Sequence, residues 1–158
     1  MSKIGNIVIG QGVGPARFGM TEQEILDLFG KPDEREEESY DDDPDLKTLT
    51  LYYDTLMTDF SFDLDEDEDG NDVYKLTTIL CTNPEYTLDN KIKFGDTEET
   101  LLKYIHNLKA ADPEVEVDKE TKERILMFDD LNMMAIFDTD GLSAIQIGYW
   151  DDAEDTDE

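Results

Sequence analysis

Two spacings of apolar residues predict most of the elements of this chain. Leu49, Leu51 and Tyr53 alternate with polar positions, and Thr58, Phe60 and Phe62 do the same after a short break, so a hairpin is expected there. Ile25, Leu28 and Phe29 fall on one face of a helix, as do Leu101, Tyr104, Ile105 and Leu108 further on. Thr21 and Glu24 have capping-box spacing, Asp96 and Glu99 place an acceptor and an acid similarly, and Gly30 followed by Pro32 ends the first helix. Segments 75–81 and 142–149 read as further strands, and 4–9 as an edge strand. The run Gly10-Gln11-Gly12-Val13-Gly14-Pro15 reads as punctuation between elements.

Compared with itself, the chain repeats. Residues 17–26 align without gaps to 93–102, sharing a basic-Phe-Gly-x-Thr-Glu pattern; 51–63 align to 126–138, and 76–79 to 142–145. Each copy therefore reads as a helix followed by three strands. The expected fold is α+β, two tandem helix-plus-three-stranded antiparallel repeats spanning 1–84 and 85–150, with a disordered acidic tail at 151–158. Each sheet alone would be marginal, so the copies should pack together. Segment 34–45 is so charged that a loop or frayed edge is expected.

Charge narrows the range of functions. Against 13 Lys and Arg stand 42 Asp and Glu, a formal charge of -29, while 38% of the 158 residues are apolar. Such a field repels phosphates and anionic lipid, which disfavours nucleic acid and membrane surfaces and favours basic proteins and cations. The lone Cys81 rules out an intrachain disulfide, and no signal peptide or apolar span stands out, so a cytoplasmic location is expected.

The stretch Gly12-Val13-Gly14-Pro15-Ala16-Arg17-Phe18-Gly19-Met20-Thr21, with Ile25-Leu26 and Phe29-Gly30-Lys31-Pro32-Asp33 after it, resembles the signature of SmpA/OmlA (BamE-like) domains over about twenty residues. The second copy departs from it, with Asp96 in place of Met20 and no Gly-Lys-Pro-Asp after Leu108, and the lipobox cysteine of the envelope members is lacking. The doubled arrangement also resembles the β-lactamase-inhibitor-protein (BLIP-like) fold. These resemblances imply a protein-binding habit and transfer no catalytic residue.

Candidate chemistry is sparse. Asp65-x-Asp67-x-Asp69-Gly70 matches the first half of a calcium loop, where alternating carboxylates converge on one cation, but Leu76 stands where the bidentate Glu belongs. Asp65, Asp67 and Asp69 are thus weak metal-ligand candidates, calcium being the one cofactor considered. His106 falls off the apolar helix face, and Cys81 reads as a small buried hydrophobe. The glycine run lacks the Lys-Ser/Thr of a phosphate loop. No enzyme class is indicated. Acidic clusters at 36–45, 63–72 and 151–158 are interleaved with aromatics, the composition of interface anchors ringed by charge. The expected partner surface is Tyr40, Asp41, Asp42, Asp43, Tyr52, Asp67, Asp69, Tyr149 and Trp150. The expected function is an acidic protein-binding module, an immunity or inhibitor protein that occludes a basic toxin or nuclease. The alternatives are an SmpA/OmlA-like housekeeping binding domain and a calcium-binding acidic protein.

Overall fold

The structure, a computed structural model, describes residues 6–40, 43–66, 68–109 and 113–148, with backbone alone for 40, 43–46 and 130. In chain order the elements are β1 (Asn6–Val8), β2 (Gly12–Val13), β3 (Ala16–Arg17), α1 (Glu22–Phe29), β4 (Glu34–Tyr40), β5 (Asp43–Tyr53), β6 (Thr58–Glu66) and β7 (Asp72–Cys81). Then follow β8 (Thr87–Leu88), β9 (Ile92–Lys93), α2 (Glu98–Asn107), β10 (Glu114–Val117), β11 (Arg124–Phe128), a 3-10 turn (Asp129–Leu131), β12 (Met133–Asp138) and β13 (Gly141–Gly148).

These elements correct the expected α+β fold of two helix-plus-three-strand repeats. The protein's described residues are mostly β, 51% strand against 15% helix. Its strands form a five-stranded sheet ordered β3-β2-β1-β8-β9 and an eight-stranded antiparallel sheet ordered β10-β11-β12-β13-β7-β6-β5-β4. Four long strands, not three, follow α1, because the charged segment expected to be a loop or frayed edge is a regular edge strand, β4, paired with β5 from Glu34↔Tyr52 to Tyr40↔Asp43. An outer strand can carry charge on both faces, since residues 34–39 are all exposed. β1 is central in its sheet, between β2 and β8, and not an edge; β2 forms inside the glycine run taken for punctuation.

The helices start where the chain chemistry places them. Thr21 caps α1 with both arms of the capping box, and Gly30 ends it at φ 85°. At α2 the cap is Thr97 rather than Asp96, whose carboxylate instead accepts from the Lys93 N–H at 2.8 Å. Leu28 and Leu108, expected on the buried faces, are 42% and 43% exposed, Leu28 in the last turn of α1 and Leu108 at the C-cap of α2.

The two halves meet at the β7–β13 ladder, Ile145↔Cys81 to Gly148↔Thr78. Before that ladder each strand is joined to its own half's Phe-Gly segment. The Gly19 N–H donates to the Leu76 carbonyl and the Leu76 N–H to that of Met20; Gly95, Leu142 and Asp96 make the same pair of bonds. The β6–β7 and β12–β13 ladders also shift register at matching places, Ser61/Phe62 and Ile136/Phe137. Buried side chains from both halves form one cluster, including Ile25, Leu51, Phe60, Phe62, Leu101, Phe128, Phe137 and Ile147. Phe60 stacks on Phe29 at 5.1 Å and meets Tyr53 edge-on at 5.6 Å, tying α1 to the sheet.

Candidate interaction face of the eight-stranded sheet

Alternation along each strand decides what the second face of the sheet carries. In β5, β6, β11 and β12 the buried positions share one parity: Leu49, Leu51 and Tyr53; Phe60 and Phe62; Leu126 and Phe128; Met133, Ala135 and Phe137. The other parity is half-exposed and forms an open face. Register places Tyr52, Asp59, Leu80, Gln146, Met134 and Met127 in one row across six strands. Beside it run Ile125 and Ile136 in one half, and Thr50 and Ser61 in the other. The Thr50 and Ser61 hydroxyls are hydrogen-bonded to each other at 3.2 Å, so that half is polar.

Both outer strands turn acids toward this same face. Glu34, Glu36 and Glu38 of β4 pair in register with Tyr52, Thr50 and Thr48, and the Tyr52 hydroxyl donates to Glu36 at 2.9 Å. Glu114 and Glu116 of β10 lie opposite Met127 and Ile125. Among the described strand residues of that parity Lys75 is the one base, and it sits 3.7 Å from Asp65. An apolar patch of Leu80, Ile125, Met127, Met134 and Ile136 is thus framed by carboxylates on two sides. A depression of about 200 Å³ opens beside it between Met127, Asn132, Met134 and Gln146, with Asp129 at its lip. Methionine-lined hollows of that kind adapt to the side chain they receive.

The acids on the face carry a solvation cost. Partial burial raises the Asp59 carboxyl above its ordinary range, and the Asp54 charge adds to this. Desolvation raises Asp63 as well, opposed by a hydrogen bond from Thr77. The hydrogen bond to Glu36 raises the Tyr52 phenol. Cations arriving over these groups would favour their charged forms.

On the opposite side, two clefts of about 490 and 460 Å³ flank the Glu22–Arg35 ion pair, 2.7 Å long, between α1 and β4. The Tyr74 hydroxyl donates to Glu37 at 2.6 Å there, and its phenol is pushed up to about 12, by burial first and then by Glu37. Cys81 is buried, which pushes its thiol up, away from reactivity. His106 is exposed on α2.

Of the residues expected from sequence to bind a partner, Tyr52 lies on the open face and Asp69 in the turn at the tip of the β6–β7 hairpin. Tyr40 and Asp43 are placed as paired backbone at the far end of β4 and β5. Asp41, Asp42, Asp67, Tyr149 and Trp150 lie outside the described residues, as does the tail. Of the calcium candidates, Asp65 is paired with Lys75 and also accepts the Glu66 N–H; no metal-holding cluster of three occurs among the described residues. The apolar patch and the β10 glutamates were missed. A signal for them lay in the repeat: Thr50, Tyr52, Asp59 and Ser61 of the first copy align with Ile125, Met127, Met134 and Ile136 of the second. β12 is apolar at both parities, which marks a strand with two faces to cover.

An antiparallel sheet with one covered face and one framed, half-apolar face defines the molecule structurally. No family model matches the chain, and no curated protein does. Among solved structures it is similar to a DUF4309 family protein (YjgB) from Bacillus subtilis, at 13% identity and a TM-score of 0.42, over 82% of this chain and 78% of that one. No described helix is long and apolar enough to cross a membrane.

Proposed function

We propose that this chain is a protein-binding module that receives a basic protein on the open face of its eight-stranded sheet, as an inhibitor or immunity protein would cover the cationic surface of a toxin or nuclease. The observation that carries the reading is the framing of the apolar patch by glutamates from both outer strands. An apolar centre within a polar rim is the anatomy of a protein interface, and here the rim has one sign. The centre supplies affinity and the rim supplies steering, which an inhibitor that must arrive first requires. A cytoplasmic setting belongs to the same proposal.

The test is capture from the native host at low salt, comparing the wild type with Met134→Asp/Ile136→Ser, which gives the second half the residues of the first. One stoichiometric basic protein, eluted by salt and lost with the double variant, is the expected result. A smear of cationic proteins retained equally by both would overturn the reading and leave the acidity as a solvated surface. Gln23→Arg, at an exposed position of α1 on the other side of the sheet, is the control.

A further inference from the structure

The β10 strand ends the sheet with no described strand beyond it, and all four of its residues are exposed. Its sequence, Glu-Val-Glu-Val, is alternating, and its valines are uncovered: Val115 is 45% exposed and Val117 50%. The hydrogen-bonding parity of the strand follows from the turn after it. The Asp118 N–H donates to the Glu123 carbonyl at 2.9 Å, so Asp118 is bonded inward. Antiparallel pairs alternate, which makes Glu116 and Glu114 the inward-bonded residues of β10 and turns the N–H and C=O of Val115 and Val117 toward the side where no strand is described. The edge therefore offers backbone donors and acceptors, two apolar side chains on one face and two carboxylates on the other.

We infer that β10 accepts an added strand from the basic partner, an extended segment in which Lys or Arg alternates with an apolar residue. This rests on the protein-binding reading of the same face and names its geometry. In an antiparallel addition Val115 and Val117 occupy hydrogen-bonded pairs with the guest. Glu114 and Glu116 then fall in the closer non-bonded pairs, where a guest cation gains most from a carboxylate. The guest's apolar residues meet the two valines. A second copy of this chain fits worse, because β10 against β10 would bring these glutamates together in two chains that each carry -29. The opposite edge fits worse too. There the positions off the open face are Arg35, Glu37 and Ser39, with nothing apolar to meet the guest.

The probe is an acetylated, amidated peptide of about seven alternating Lys and Val residues, followed by fluorescence anisotropy on the full chain at low salt. Val115→Pro removes an outward N–H and leaves the β10–β11 ladder intact, as proline is tolerated on an outer strand facing solvent. The expected result is binding that weakens roughly tenfold or more with Val115→Pro, and equally when the peptide backbone is N-methylated at alternate residues, which leaves the protein untouched. Binding indifferent to both changes means attraction of charge alone and overturns the inference, as does no binding at all. A dimer of the chain that Val115→Pro dissolves would give the edge to a second copy and overturn it as well. Failure of the face reading looks different: Met134→Asp/Ile136→Ser would leave capture of the protein partner unchanged while the peptide still bound β10.

Discussion

The half of the sheet made by β4 to β7 and the half made by β10 to β13 bury the same kind of surface and differ on the other side. At four aligned positions the first half presents Thr50, Tyr52, Asp59 and Ser61, and the second presents Ile125, Met127, Met134 and Ile136. Their outer strands differ to match. β4 carries charge on both faces, with Arg35 held by Glu22 on one side and Glu36 by Tyr52 on the other, a pattern that discourages a further strand. β10 is charged on one face only. The difference teaches that the buried parity maintains the fold, while the open parity is free to differ: one half presents polar side chains there and the other apolar ones.

The sharpest break in the comparison is expected at Gly141. It occupies the place of Lys75 in the aligned halves, yet its φ is 113°, and a Cβ there would lie 2.3 Å from the Gly95 carbonyl oxygen. Lys75 has no positive φ. Gly141→Lys should therefore cost about 3 kcal/mol or more, since the obstacle is backbone held by two hydrogen bonds, whereas Lys75→Gly should cost about 1 kcal/mol. Denaturant unfolding of both variants measures this. Similar costs would mean that the two junctions are built alike.

A smaller effect is expected at the first edge. Replacing Glu36, Glu37 and Glu38 of β4 by Thr removes the charge that keeps this long strand unattractive to its own kind. The variant should self-associate as salt is raised, read by light scattering, while the wild type stays unchanged. If the variant remains monomeric, charge is not what closes β4.

Individual elements of this fold were legible in the sequence and its architecture was not, for separable reasons. α1 was readable because Thr21, Glu24 and Gly30 are local signals, and the β5–β6 hairpin because Leu49 to Phe62 alternate cleanly. β4 was misread because seven residues with five charges look like solvent; only the ladder to β5 makes them a strand. β10 was missed because four residues in an acidic stretch give period two too little length to register. The total of eight strands in one sheet depends on the β7–β13 contact, which no local pattern encodes. The open face was hidden for a related reason: acid and aromatic residues point to Tyr52, while the methionines and isoleucines that align with it and its neighbours in the second copy carry neither charge nor ring.

The smallest predicted effect tests whether a carboxylate of the polar half costs the folded state stability. Asp59 is half-exposed on the open face, and its carboxyl is raised, by burial first and by Asp54 second. A carboxyl raised in the folded state holds its proton at pH values where the unfolded chain has lost it. Stability from this group is therefore lost as pH rises through the interval between the unfolded value and the raised folded one, and it is regained on acidification. Asp59→Asn should raise Tm slightly at neutral pH and shrink the gain that the wild type shows on moving into the carboxylate range. General repulsion among 42 acids acts in the same direction in both proteins, so the difference between their two pH profiles isolates Asp59. Parallel profiles would mean that Asp59 is solvated like any surface acid; converging ones would mean that its partial burial costs the folded state stability once the carboxyl is ionised.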